Sequence, residues 1–95
     1  MPSYELVFIF KPDFQEDEFS QALSKVNDFI TKIGGTVTET NPWGKRKLAY
    51  PIKKQTEGNY VLEKVQIKST ALKELDVNLK LSEDVLRYLF IREKS

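Results

Sequence analysis

The sequence predicts an α+β domain in which two helices cover one face of a four-stranded antiparallel sheet. Three observations support this prediction: the patterns follow in the order β-α-β-β-α-β, each helical pattern has a single apolar stripe, and no repeat, linker or low-complexity tract interrupts the 95 residues. A chain of this length buries about 60–65% of its unfolded surface, which suffices for one core. Right-handed crossovers then give the ferredoxin-like βαββαβ arrangement, with residues 1–95 as a single domain.

The first two elements are predicted as a buried strand and an amphipathic helix. The stretch Tyr4–Phe10 is rich in β-branched and aromatic residues and is apolar at both odd and even positions, as in a strand covered on both sides. After it, apolar residues recur every three or four positions from Phe19 to Ile33. The acids Glu16–Glu18 would lie at the helix start, where the dipole favours negative charge, and Gly34-Gly35 would end the helix.

The middle of the chain is predicted as a strand followed by a bulged arm. Residues Thr36–Thr40 alternate as a strand does, but Pro42 and Pro51 argue against an unbroken central strand. We therefore expect an irregular or bulged arm over residues 41–57 that is less ordered than the rest. A turn is predicted at Gln55–Asn59, and the third strand should follow that turn.

The last two elements are predicted as a short helix and a strand. Ser69 or Thr70 would cap the helix. Its apolar stripe consists of Leu72, Leu75 and Leu79. The closing strand, residues 84–93, is apolar at both parities, like the first strand. Because the helices can cover only one face of the sheet, the other face should present an apolar patch, which in soluble proteins indicates a partner.

The composition argues against an enzyme. The chain has no cysteine and no histidine, which removes thiol nucleophiles, disulfides, zinc sites with nitrogen or sulfur ligands, and histidine acid–base catalysis. The carboxylates of Glu16–Glu18 are explained by the helix start, and no nucleophile–base pair is visible. We expect no cofactor and no metal. Because no apolar run approaches the roughly 20 residues of a membrane span, we also expect no membrane association.

Positive charge gathers on one segment although the whole chain has a net charge of only +1. The segment Pro42–Tyr60 contains a single acid, Glu57, and five cations around the apolar centre LAYPI. These cations are Lys45, Arg46, Lys47, Lys53 and Lys54. They could contact phosphates or protect an exposed edge strand from pairing with another chain. Trp43 and Tyr50 favour recognition, since aromatic rings beside cations suit base stacking or a protein contact.

The same segment resembles the bacterial small-subunit ribosomal protein six family. The resemblance rests on a basic pair followed by Leu-Ala-Tyr-Pro-Ile and lysine at residues 46–54, on the opening YELVFIFKPD, on Gly58, and on the closing DVLRYLFIR. It implies a non-enzymatic structural component of the small ribosomal subunit with a ferredoxin-like fold. It also implies binding to the central domain of small-subunit ribosomal RNA, with ribosomal protein eighteen as heterodimer partner. The implied location is the cytoplasmic ribosome, with an organellar ribosome as the other setting that the resemblance allows.

Two sets of candidate site residues follow. The candidate RNA-binding residues are Tyr4, Arg46, Lys47, Lys53, Lys54, Arg87, Arg92 and Lys94. The candidate partner-protein residues are Trp43, Leu48, Tyr50, Ile52, Tyr60 and Tyr88. The sequence departs from the family at its start, where Pro2 and Ser3 replace the basic residues that members often have there. Tyr4 is therefore the only N-terminal residue kept in the RNA set.

Two other functions remain compatible with these residues. A free-standing RNA-binding protein of RRM type would bind RNA alone and stack bases on tyrosines, but Gly58, Tyr60 and Val61 match only part of its third-strand pattern. A ligand-sensing or oligomerising regulatory domain of the same fold would instead use the apolar sheet face to form homodimers and would not bind RNA.

Overall fold

The computed structural model describes residues 2–12 and 15–93 and has the predicted architecture. In chain order, the elements are β1 (Ser3–Phe10), α1 (Glu16–Lys32), β2 (Thr36–Ile52), β3 (Gln55–Gln66), α2 (Ser69–Leu81) and β4 (Val85–Arg92). The four strands form one antiparallel sheet in the order β2-β3-β1-β4. The predicted fold class is therefore confirmed, with β2 and β4 at the two edges.

The hydrophobic core lies between the two helices and one face of the sheet. From β1, the even-numbered residues Leu6, Phe8 and Phe10 point to this face and are fully buried. The helices cover them with apolar residues at the predicted spacing: Ala22, Val26 and Ile30 from α1, and Leu75 and Leu79 from α2. The odd-numbered residues of β1 lie on the opposite face, which neither α1 nor α2 covers.

The two helices begin differently. The backbone N–H of Gln15 donates to Oε1 of Glu18 at 3.3 Å, so one of the predicted first-turn acids helps to fix the start of α1. The prediction that Ser69 or Thr70 caps α2 is wrong by one residue. Lys68 occupies the cap position and its carbonyl accepts hydrogen bonds from two backbone N–H groups of the first turn, which places Ser69 and Thr70 inside the helix.

Strand β2 is much longer than predicted. It runs through both prolines and pairs with β3 as far as Lys47↔Glu57, so the arm is part of a long hairpin. Prolines are tolerated because β2 is an edge strand, paired on one side only. The predicted irregular arm contains two register shifts, between Pro42 and Gly44 and between Lys47 and Ile52. A third shift, between Val37 and Glu39, lies in the stretch that was predicted as a regular strand.

The hairpin turns earlier than predicted, at Lys53-Lys54. Both lysines have positive φ, 49° and 67°, and they connect the pair Ile52↔Gln55, which is the geometry of a two-residue type I′ turn. Such turns favour Asn and Gly, so two lysines gave no sequence signal for one here. The predicted turn at Gln55–Asn59 belongs instead to the start of β3.

One carboxylate, Glu63, is buried in the core. It lies opposite Leu6 on the helix-covered face, and its side chain is fully inaccessible to solvent. Thr40 Oγ1 donates to Glu63 Oε2 at 2.8 Å, while Oε1 has no hydrogen-bond partner among the described residues. Burial raises the pKa of Glu63, and the side chains of Thr40 and Asn27 only partly offset this effect.

We expect Glu63→Gln to stabilise the domain at neutral pH by about 1 kcal/mol, because it removes a buried charge whose second oxygen lacks a partner. The folded-state pKa of Glu63 is raised above its ordinary value of 4.5, so the folded state binds the proton more tightly than the unfolded state does. Stability should therefore fall as pH rises from about 4.5 through the folded-state pKa, and the Gln variant should lack this fall.

Urea unfolding from pH 4 to 8 measures this difference, with Glu74→Gln at an exposed position of α2 as the control. An identical pH dependence in the Glu63→Gln variant and the parent would contradict the prediction.

Candidate nucleic-acid and protein interface

The sheet face opposite the helices is apolar, as predicted. Residues that pair across an antiparallel sheet point to the same face, so the register places Val7 beside Leu62 and Leu89, and Glu5 beside Ile91. Leu89 and Ile91 are 56% and 44% exposed. This open face therefore presents large apolar side chains to solvent on β4, the edge strand.

Part of the open face is covered by the hairpin itself. Between the pairs Lys47↔Glu57 and Ile52↔Gln55, residues 48–51 have no partner on β3, and we call this segment the LAYP bulge. The bulge lies over the open face, because one groove of about 260 Å³ is lined by both. Its apolar lining comprises Leu48, Ala49, Tyr50 and Ile52 from β2, with Val7, Ile9, Tyr60 and Leu89 from the sheet. Ile9 is only 7% exposed although no helix covers its face.

Two contacts tie the bulge to β4. The Arg87 guanidinium donates a hydrogen bond to the Tyr50 hydroxyl and lies 5.8 Å from the centre of the Tyr50 ring. Directly after the bulge, Lys53 Nζ donates to the backbone carbonyl of Val85 at 3.2 Å. The end of the β2–β3 hairpin therefore contacts the beginning of β4, which is the edge strand opposite β2 in the sheet.

An aromatic stack extends the open face along β2. The Trp43 and Tyr60 rings are nearly parallel, with centroids 6.4 Å apart and planes inclined by 13°, and Trp43 is exposed. Arg46 lies over the Trp43 ring at 5.9 Å from its centroid. Gly44, with a φ of 85°, follows Trp43 at the second register shift of β2. A cation and two aromatic rings are thus grouped beside the groove.

The structure brings most, but not all, of the predicted cations together. Arg46, Lys47, Lys53 and Lys54 lie along the last part of β2 and its turn, and Arg87 joins them from the start of β4. Arg92 lies at the other end of β4, opposite Tyr4 and about 17 Å along the strand from Arg87. Lys94 lies outside the described residues.

Two predicted site residues, Tyr4 and Tyr88, have side chains on the helix-covered face. Tyr4 is 6% exposed and packs in the core beneath the helices, so its ring is not available to stack on a base. Tyr88 pairs with Phe8, so its side chain points to the helix-covered face, although Tyr88 also contributes to the lining of the groove. Its hydroxyl donates to Oδ1 of Asp76 on α2 at 2.6 Å, and this bond raises the pKa of Tyr88 to about 12. Tyr88 thus fixes α2 to the sheet.

Four groove residues were not among the predicted site residues: Ala49 in the LAYP bulge and, on the sheet, the three residues Val7, Ile9 and Leu89. The signal for the three sheet residues was present in the sequence, because the alternation in β1 and β4 places all three on the face away from the helices. All of the predicted partner-protein residues except Tyr88 lie in the basic segment Pro42–Tyr60, which contains none of these three.

The described part of the chain offers no metal-binding cluster: no three His, Cys, Asp or Glu side chains within it are placed to hold an ion. None of its helices is long and apolar enough to cross a membrane.

Comparison with known proteins gives a consistent result. The family model for ribosomal protein S6 matches residues 3–92. A small ribosomal subunit protein bS6 from Desulforudis audaxviator is 42% identical over 93 residues, which are 98% of this chain and 99% of that protein. The bS6 protein of Caldanaerobacter subterraneus subsp. tengcongensis is 40% identical over 92 residues, 97% of each chain. The crystal structure of 30S ribosomal protein S6 from Thermotoga maritima matches with a TM-score of 0.89 and 28% identity, covering 97% of this chain and 87% of that one.

Proposed function

The chain belongs to the ribosomal protein S6 family, and on that premise we propose that it binds the central domain of small-subunit ribosomal RNA together with ribosomal protein eighteen. Family membership makes it a small-subunit ribosomal protein of the bacterial, cytoplasmic ribosome, which is a structural role in translation. The observation that best supports the finer proposal is the meeting of an apolar groove and a group of cations at the end of the β2–β3 hairpin.

The open face suits the protein partner. Leu89, Ile91 and Trp43 are large, exposed and apolar or aromatic, and they continue from the groove beneath the LAYP bulge. Protein interfaces are enriched in aromatic residues and depleted of charge at their centre. The groove lining contains one charged residue, Arg87, which already contacts Tyr50. We therefore assign the open face to ribosomal protein eighteen.

The exposed side of the hairpin suits RNA. Arg46, Lys47 and Lys54 are exposed cations on β2 and its turn, and Arg46 lies over the exposed ring of Trp43. Phosphates are neutralised by such side chains, and unpaired bases stack on aromatic rings. Because the net charge of the whole chain is only +1, we expect these few contacts to give weak binding without a partner.

The test is RNA binding by the chain alone and by its mixture with ribosomal protein eighteen, on a central-domain RNA fragment at several salt concentrations. We expect the mixture to bind tightly and the chain alone to bind weakly. Tight binding by the chain alone would instead favour a free-standing RNA-binding protein. No binding in either case, with a concentration-dependent homodimer, would favour a regulatory domain.

A charge-removal variant tests the RNA side of the interface. Replacing Arg46, Lys47 and Lys54 together by alanine should weaken RNA binding by the mixture and reduce the slope of log affinity against log salt by about one unit for each lost phosphate contact. The control variant replaces three exposed helix lysines, Lys25, Lys32 and Lys73. Equal effects of the two variants would show that general charge, and not this segment, supports binding.

A further inference from the structure

We propose that Arg87 is a positioning residue: with Lys53 it latches the LAYP bulge onto the open sheet face and so shapes the groove that the protein partner meets. The sequence predicts both cations as phosphate contacts. The latch is a property of the free domain. Its effect on partner binding rests on the proposed function.

The bulge needs such a latch because the β2–β3 ladder does not hold it. Residues 48–51 have no partner on β3 between the pairs Lys47↔Glu57 and Ile52↔Gln55. Pro51 has no backbone N–H to donate. A segment without ladder bonds stays in one conformation only if side chains tie it elsewhere, since ordering each residue costs conformational entropy.

One tie lies within the bulge, at Tyr50, and the other lies two residues after it, at Lys53. Arg87 contacts Tyr50 in two ways, with its guanidinium both over the aromatic ring and hydrogen-bonded to the hydroxyl. Lys53, in the hairpin turn, donates a hydrogen bond to the Val85 carbonyl. Arginine is suited to this dual contact because its guanidinium is flat and has several donors, whereas the lysine ammonium can only act as a point charge.

Beneath the bulge lies the apolar floor of the groove. Ile9 points to this face and is nearly inaccessible, and Leu48 and Ile52 are half-buried above the sheet. If the bulge swung away, these side chains would be returned to water. The latch and the apolar contact therefore support the same closed conformation of the arm.

The first test measures the order of the bulge in the free domain. Backbone ¹⁵N order parameters at residues 48–50 and 52 should be near 0.85 in the parent and should fall below about 0.6 in Arg87→Met, while those of β1 stay unchanged. Arg87→Lys, which keeps the charge, should behave like Arg87→Met because the latch needs the planar guanidinium. The control is Arg92→Met, an exposed arginine of the same strand placed opposite Tyr4.

A double-mutant cycle between Arg87→Met and Tyr50→Ala should show a coupling of roughly threefold to tenfold in the unfolding equilibrium constant. The same cycle with Arg92→Met should show none. An ordered bulge in Arg87→Met, or a cycle without coupling, would overturn the latch.

The second test separates positioning from phosphate contact. Arg87→Met should weaken association with ribosomal protein eighteen about tenfold, while the salt slope of RNA binding by the mixture stays as in the parent. A smaller salt slope with unchanged protein association would overturn the proposal and make Arg87 a phosphate contact. A loosened bulge with unchanged protein association would overturn the positioning role. If the parent itself does not associate with the partner, the proposed function fails, and the free-domain measurements alone decide the latch.

Discussion

Replacement of Leu89 by glutamine should reduce association with ribosomal protein eighteen by at least about 30-fold while the domain stays folded. Leu89 lines the groove on the open face and pairs with Val7, near the middle of the exposed apolar patch. In the complex, the glutamine amide would be buried without a hydrogen-bond partner, and the apolar contact made by leucine would be lost. We choose glutamine and not glutamate because a glutamate at position 89 would place a carboxylate on the same face as Arg87. That carboxylate would attract the Arg87 guanidinium away from Tyr50.

The matched control is Leu81→Gln. Leu81 is 77% exposed at the end of α2, on the helix layer and away from the open face. Both positions are exposed. Apart from the difference in intrinsic helix or strand preference between leucine and glutamine, neither substitution should therefore change the free energy of unfolding by more than about 0.5 kcal/mol. Calorimetric titration gives the dissociation constants, and thermal unfolding verifies the fold. Equal affinities of the Leu89→Gln variant and the parent would remove the open face from the proposed interface.

The fold could be predicted from the sequence because its signals are local. The period of two in β1 divides its residues into two sets that are both largely apolar, one for each face of the sheet, and α1 has its apolar stripe, first-turn acids and terminal glycine in the expected places. The same alternation predicts the open apolar face. It also indicates that Tyr4 shares a face with Leu6 and Phe8, which agrees with its place in the core.

The shape of the site could not be predicted because it depends on contacts between distant parts of the chain. Tyr50 and Arg87 are 37 positions apart, and nothing near either residue indicates that they meet. The length of β2 depends on its position at the sheet edge, where prolines are tolerated, and that position is a property of the whole topology. The turn at Lys53-Lys54 is set by the register of the hairpin on both sides and not by turn-forming residues.

The charge that gathers on the basic segment has two structural uses. Lys53, together with Arg87, ties the hairpin to β4, whereas Arg46, Lys47 and Lys54 are exposed along its length. The sequence treats all of these cations alike, because composition does not distinguish a side chain that holds the fold from one that faces solvent. Only the latter group supports the proposed RNA contact.

Gly58→Ala should have the largest effect on stability, lowering the free energy of unfolding by about 1–3 kcal/mol. Gly58 is buried in β3, and a Cβ atom added there would overlap Cγ2 of Ile9 and lie 3.3 Å from the carbonyl oxygen of Phe10. Ile9 cannot yield easily, because it is β-branched and is held beneath the LAYP bulge. In a domain of this size, the melting temperature should fall by about 4–8 °C for each kcal/mol.

A double-mutant cycle identifies the cause of this loss. Ile9→Ala removes the atom that the new Cβ would meet, so Gly58→Ala should cost much less in the Ile9→Ala background than in the parent. An equal loss of unfolding free energy in the two backgrounds would show that the loss arises from the β3 backbone and not from Ile9. If Ile9 is the cause, Gly58→Ala should also displace it into the groove and weaken partner association beyond the loss of folded protein. The small residue in β3 would then matter to the interface as well as to the fold, because Ile9 packs against Gly58 and forms the groove floor.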